Sequence, residues 1–336
     1  MSQFNVQDIS KYRTYLMGIA TLMVIFGHSA GNGVVMPGWM ESLCGLASVG
    51  VDIFLLVSGL GLWYSLNNLK GENLSGGVLK RWYARRYKRI LVPYLFIIGF
   101  HQVLCIMHGR LIFQALLELS TINYWINHQG AWFIAMLIPV YAITPLHYNI
   151  SMKIKRPVLY SMSIIVAVVL ISGLDYPIES SEGQMIMANI KHVLYHLPSF
   201  LIGFILAPFA LNHKKVSYFW MILLPVGIVV IQKFTHFGYW PGFLVLPFIT
   251  ICCLLLRYAG RVVTAVLGFF GKISLESYLF NGIVGSWIIW YLPRLYESPL
   301  NKGCYLSYLI VFVLGTILAY LVNRLCNRML NHSTKQ

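Results

Sequence analysis

The feature that most constrains this chain is the recurrence of apolar runs, each about as long as a bilayer is thick. At a rise of ~1.5 Å per residue, roughly 20 apolar residues cross the ~30 Å hydrocarbon core of a membrane. Ten segments meet that requirement, near 14–33, 46–66, 90–108, 132–150, 157–174, 193–211, 217–234, 240–257, 273–292 and 304–325. Only 10% of the 336 residues are charged, against ~25% in soluble domains, so the chain cannot clothe itself in a water-facing coat. The expectation is an all-α, polytopic helical bundle of about ten transmembrane helices, forming a single domain over residues 1–336. Two shorter apolar stretches, 111–121 and Val262 to Phe270, are expected to lie at the interface. The polar start MSQFNVQDISKYR, with no small-residue cleavage motif after the first run, predicts that this run is retained as a helix.

The charges orient the bundle. With ten crossings, 20 of the 25 lysines and arginines fall on the N-terminal side; Arg110, Lys191, Lys233, Arg294 and Lys302 fall on the other. That bias places both termini in the cytoplasm. It also accounts for the net charge of +15 without nucleic acid, since the basic residues sit in short loops between spans. The six cysteines show no metal-ligand spacing and lie in or beside apolar runs, so they are expected to pack, with no metal bound. Asn73, Asn149 and Asn331 head glycosylation sequons, but all three fall on the cytoplasmic side.

Two polar residues stand out in hydrocarbon. His28 sits near the outer end of the first helix and Asp52 near the outer end of the second. The helices run antiparallel, so the two share a depth. A carboxylate beside an imidazole would offset the cost of burying either and raise the basicity of the ring. The alternative is that such a pair only locks two helices together. A second cluster, K80-R-W-Y-A-R-R-Y-K-R-I-L-V-P-Y94, places six basic residues within ten at the mouth of the third helix. Arg86 and Arg89 share a helical face and have the fork geometry that suits phosphates. Trp82, Tyr83 and Tyr87 are positioned to stack on a base, and Pro93 is expected to bend or end the helix. Anionic-lipid contact and simple orientation charge are the rival uses of this cluster.

From Arg13 to His28 is 15 residues, or roughly 22 Å along a helix. A ligand held by phosphates at the inner surface needs a long arm to reach the imidazole. Coenzyme A has such an arm, ending in a thioester, and the imidazole could act as general base on an attacking hydroxyl. Elsewhere, Trp132 in H128-Q-G-A-W-F133 reads as an interfacial anchor. Glu276 in K272-I-S-L-E-S-Y-L-F-N281 reads as paired with Lys272 or snorkelling. The other histidines lie mostly at segment ends.

Several stretches together resemble the membrane acyltransferase-3 family, bacterial O-acyltransferases of surface glycans. M17-G-I-A-T-L-M-V-I-F-G-H28-S resembles its opening helix, G50-V-D-I-F-L-L-V-S-G59 its second-helix motif, and R85-R-Y-K-R-I-L-V-P-Y94 its basic third-helix entry. W132-F-I-A-M-L-I-P-V-Y141, L197-P-S-F-L-I-G203 and G271-K-I-S-L-E-S-Y-L-F280 match looser signatures. The resemblance implies transfer of an acyl group, most often acetyl, from acyl-CoA to a hydroxyl of a carbohydrate or lipid-linked glycan. It implies His28 as catalytic base, with Asp52 beside it, and Arg85, Arg86 and Arg89 as donor-binding residues. Ser58, Trp132, Tyr278 and Asn281, which lie in or beside these motifs, are candidates to contact substrate. Three positions depart from the family pattern. Met17 stands where the family has arginine, and Arg13, one turn earlier on the same face, is the candidate substitute. Ser199 replaces a glutamate and Asn281 a histidine.

The sequence therefore points to a multi-pass enzyme of the cell inner membrane, in contact with membrane lipids, acyl-CoA and a glycan acceptor, without nucleic acid. A transporter or flippase for a lipid-linked saccharide needs similar helices and a similar basic mouth. Such proteins often carry paired repeats, and none is visible here. A structural or sensory membrane protein is the third option.

Overall fold

A computed structural model describes residues 3–69, 76–235 and 241–332 of the protein. Lys70, the Asn73 sequon, His236 and Lys335 lie outside them. The described chain is almost wholly helical. α1 (Gln7–Lys11) leads into α2 (Arg13–Gly31); α3 (Gly38–Leu46) precedes α4 (Val49–Asn67), and α5 (Gly76–Met107) follows. Short α6 (Ile112–Leu119) and α7 (Ile122–Asn127) connect to α8 (Trp132–Lys153), α9 (Pro157–Gly173) and α10 (Ser181–Leu211). The remainder is α11 (Leu224–Thr235), α12 (Val245–Leu256), α13 (Arg261–Lys272), α14 (Ser274–Tyr291), α15 (Pro293–Tyr296) and α16 (Tyr305–His332). Among the described residues the only sheet is an antiparallel pair, β1 (Gln3–Asn5) with β2 (Lys215–Ser217).

By length and composition, six helical stretches can cross a bilayer. A seventh is added if α13 and α14, which meet at 73° across Ile273, form one broken span. The other three expected segments are apolar helices of 10–17 residues, at Pro157–Gly173, Phe219–Phe234 and Gly242–Leu256. Two of them open in a turn that is not α-helical: a π turn at Phe219–Leu223 in one and a 3-10 turn at Pro241–Leu244 in the other. The stretch Val262 to Phe270 is helical and forms the first arm of the broken pair. α5 starts well before the expected residue 90, because the basic run forms its opening turns. Pro93 does not end it. The helix continues through Pro93 to Met107, although the proline cannot donate to the Arg89 carbonyl one turn back.

Glycines set the closest helix contacts. A Cβ on Gly203 would lie 1.9 Å from the Leu56 carbonyl oxygen, and one on Gly59 would lie 2.1 Å from that of Phe200. α4 and α10 therefore touch backbone to backbone. Gly18 and Gly271 do the same for α2 and α13, at 2.0 Å from the Leu267 oxygen and 1.9 Å from the Thr14 oxygen. In lipid, where solvent drives no helix association, such small-residue seams carry the packing. Gly203→Ala is expected to lower the melting temperature of the detergent-purified protein markedly, since its methyl group meets backbone and overpacking costs about 1–3 kcal/mol. Gly227→Ala, which meets nothing within 4 Å, should leave the melting temperature unchanged or higher.

Some of the segments that the charge count groups together are in contact. The β1–β2 pair joins residues 3–5 to 215–217. Arg257 Nε and Nη2 donate to Asp8 Oδ2 at 3.2 and 2.5 Å, and Asn323 Nδ2 donates to the Lys272 carbonyl at 3.1 Å. Away from the helix seams, apolar side chains face outward, including Phe96, Phe100 and Val103 on α5 and Leu309, Val313 and Ile317 on α16. The six cysteines are free, and five of them are buried.

Candidate active site

Seven helices, α2, α4, α5, α8, α13, α14 and α16, enclose a cavity of about 470 Å³. At one end it is lined by Arg13, Arg86, Arg89, Lys272, Asn323 and Asn327. Farther in, its walls are Val24, Val51, Phe54, Phe133 and Tyr278. Arg13 and Val24 are eleven residues apart on one helix, so the cavity runs roughly 16 Å along α2. Its mouth is cationic and its depth apolar.

The three arginines reach it by helical spacing. Arg86 and Arg89 are three apart on α5, and Arg13 lies one turn before Met17, which also lines the wall. Arg13 and Met17 therefore face the same cavity. Gly61 makes room for it, since a Cβ there would lie 3.0 Å from Arg13 Nη2. Among the described residues no carboxylate oxygen comes within 4 Å of these guanidiniums, and the buried Arg13 Nε has no hydrogen-bond partner. Guanidinium groups without a carboxylate partner, two of them (Arg13 and Arg86) half-buried, favour an anion with several oxygens. Ser58 and Tyr141 also line the cavity.

Three expectations about the basic segment need correction. Arg85 is exposed and does not line the cavity. Tyr83 and Tyr87 are not held free to stack on a ligand: their hydroxyls donate to the Ala142 and Ile138 carbonyls at 2.7 and 2.9 Å, stapling α5 to α8. Trp82 is buried and donates to Ser65 Oγ at 2.6 Å. The aromatic half of the motif packs helices, and the basic half faces the cavity in two of its members.

His28 lies one turn beyond Val24, past the inner end of the cavity, and is not among its lining residues. Tyr278 touches both, lining the cavity with its ring centroid 6.4 Å from that of His28. The expected His28–Asp52 pair does not form. His28 Nδ1 instead meets Asn281 Oδ1 at 2.7 Å, and Asp52 is committed elsewhere. Its Oδ1 accepts from Ser199 Oγ at 2.7 Å and lies 3.0 Å from His196 Nδ1. Both partners come from α10, which the Gly59–Gly203 seam presses against α4. Asp52 is fully buried and its Oδ2 has no partner. Ser199 thus brings a hydroxyl donor to this carboxylate.

Asn281 is placed to orient the imidazole. Its amide nitrogen donates to the Tyr308 hydroxyl at 3.4 Å, and that hydroxyl donates to the Ile25 carbonyl. The amide oxygen is thereby turned toward His28, an arrangement that suits the tautomer with the proton on Nδ1 and a free lone pair on Nε2.

Trp132 lies outside the cavity. Its ring packs 4.5 Å from His192 and 5.1 Å from His196, in a cluster where Tyr124 bonds His192 at 2.8 Å and His128 bonds Asn189. These histidines are more than segment ends, which their spacing did not signal. No group among the described residues could hold a metal ion. Glu276 neither snorkels nor pairs with Lys272. It is buried on the cavity wall and accepts from Asn323 Nδ2 at 3.0 Å. Tyr141, Asn323 and Asn327, which the sequence does not single out, also line the cavity; the i, i+4 spacing of the two asparagines on α16 is the one signal for them.

No curated protein and no solved structure matches the chain. The family model described as Acyltransferase domain matches residues 14–326, nearly the whole length. It takes in His28, Asn281 and most of the cavity lining, while Arg13, Asn327 and Leu330 fall just outside it. The chain belongs to the acyltransferase-3 family and is a membrane acyltransferase.

Proposed function

We propose that the protein is an O-acyltransferase of the cell inner membrane that moves an acyl group, acetyl as the first candidate, from acyl-CoA to a hydroxyl of a cell-envelope carbohydrate. In this reading ten segments cross the bilayer and both termini are cytoplasmic. The observation that carries it is the cavity itself, with unpaired arginines at its mouth and an apolar bore ending at Tyr278, against His28. Arg13, Arg86 and Arg89 hold the phosphates of the nucleotide. The pantetheine arm lies along Phe54, Phe133 and Leu137, and the thioester arrives beneath the imidazole.

His28 then acts through Nε2. It accepts the proton of the acceptor hydroxyl as the oxygen attacks the thioester carbonyl; the C–S bond breaks, and the proton passes to the departing thiolate. Asn281 fixes the tautomer for this role, and its neutral amide leaves the ring less basic than a carboxylate partner would. Asp52, placed by the sequence beside this ring, becomes a positioning residue that fixes α10 against α4.

The test uses purified protein in lipid nanodiscs with acetyl-CoA, following donor binding by calorimetry and CoA release by mass spectrometry, because the protein's own free thiols would react with thiol dyes. Saturable binding with CoA release is expected. Neither binding nor release would leave the flippase reading in possession of the cavity.

A further inference from the structure

A second cavity, of about 370 Å³, opens among loops that the proposed topology places on the side away from the cytoplasm. Arg110, Gln114, Asn123, Asn127, Gln129 and Met185 line it. We propose that this cavity binds the glycan acceptor, taking a neutral sugar ring such as a hexose or N-acetylhexosamine. The inference rests on the acyltransferase reading above and adds the acceptor to it.

The lining has the chemistry such a ligand needs. Four carboxamides supply both donors and acceptors, the pattern that reads neighbouring hydroxyls, since each hydroxyl both gives and takes a hydrogen bond. Met185 is half exposed and offers an apolar surface to a ring face. The volume falls within the ~300–1,000 Å³ of small-molecule sites. The one cation present is already engaged: Arg110 donates to Gln102 Oε1 at 2.8 Å and lies 3.6 Å from Glu118. With its charge met by a carboxylate, the cavity is poorly suited to a phosphate or a polyanion. That contrast with the arginine mouth separates the two sites by chemistry.

The cavity is also held in shape. Glu118 is buried and accepts from Asn123 Nδ2 at 2.7 Å, and Asn127 Nδ2 donates to Asn123 Oδ1 at 2.8 Å. The two asparagines therefore present fixed amides. Thr121 and His128, at either end of α7, both adopt left-handed backbone, at φ 64° and 54°. Such a conformation costs an ordinary residue about 1–3 kcal/mol and clusters at binding sites. Gly130 closes over the carboxylate, and a Cβ there would lie 2.2 Å from Glu118 Oε1. The site also touches the proposed donor side: Tyr94 donates to the Glu118 carbonyl at 2.6 Å, and its neighbour Pro93 lines the arginine cavity.

The experiment is saturation-transfer NMR on the full protein in nanodiscs, with methyl glycosides of glucose, galactose and N-acetylglucosamine as probes and methyl glucuronide as the charged comparison. At least one neutral glycoside should give a saturable signal, with Asn127→Ala and Gln129→Ala weakening it at least tenfold and the glucuronide binding no better. Acetyl-CoA affinity, measured on the same samples, should not change. A neutral glycoside that binds both variants as it binds the parent would overturn the assignment. So would the absence of binding by every neutral glycoside in a sample that still binds acetyl-CoA. Should the glycoside bind here while acetyl-CoA binds nowhere, the site stands and the acyl-transfer reading falls, in favour of saccharide transport.

Discussion

Replacing His28 by alanine lowers acyl transfer by about 10²–10⁴-fold, the usual contribution of a positioned general base. The variant should still insert, unfold at the parental temperature and bind acyl-CoA, because His28 is only part-buried and lies beyond the cavity. Its partner gives a graded companion result. Asn281→Ala leaves the ring in place but frees its tautomer, so a smaller loss in kcat is expected with KM for the donor little changed. The pH profile separates chemistry from structure. With the base removed, residual activity should lose the rise with pH that titration of an imidazole produces. Parental rates in His28→Ala would take the imidazole out of the reaction.

The second large effect concerns the donor. Arg86→Ala and Arg89→Ala each remove a charge-assisted contact worth about 1.5–3 kcal/mol, so each should weaken acyl-CoA binding roughly 10- to 100-fold. Lysine should restore little, since a point charge cannot reproduce the guanidinium fork. Arg85→Ala supplies the internal control. It comes from the same basic run but, unlike Arg86 and Arg89, does not line the cavity, so its affinity should match the parent. Equal losses at all three positions would point to the field of the whole cluster, and no loss at any would return them to lipid contact or topology.

Where each piece of this account became visible follows from the range of the interactions involved. The helices were legible because hydrocarbon forces every backbone group to be satisfied within its own segment, leaving long apolar runs as the record. That Arg13 and Met17 line one cavity was legible for a similar local reason, since residues four apart share a face. The partners of buried charges were not. Asp52 finds Ser199 and His196 on α10, and Glu276 finds Asn323 on α16. Those choices depend on which glycine seams press which helices together, and nothing near Asp52 or Glu276 in sequence encodes them. Similar depth made His28 and Asp52 seem partners; rotation about each helix axis decided otherwise. Two of the short helices after residue 157 show the same limit, because hydropathy reports an apolar run but not the π or 3-10 turn that opens it.

The most direct measurement is a cryo-EM structure of the protein in nanodiscs with a thioether analogue of acetyl-CoA, which binds but cannot transfer. The phosphates should lie within hydrogen-bonding distance of Arg13, Arg86 and Arg89, with the pantetheine arm between Phe54 and Phe133 and the acyl end past Tyr278 at the His28 ring. A nucleotide bound outside this cavity, or an acyl end that stops at Tyr278 with the imidazole out of reach, would contradict the account.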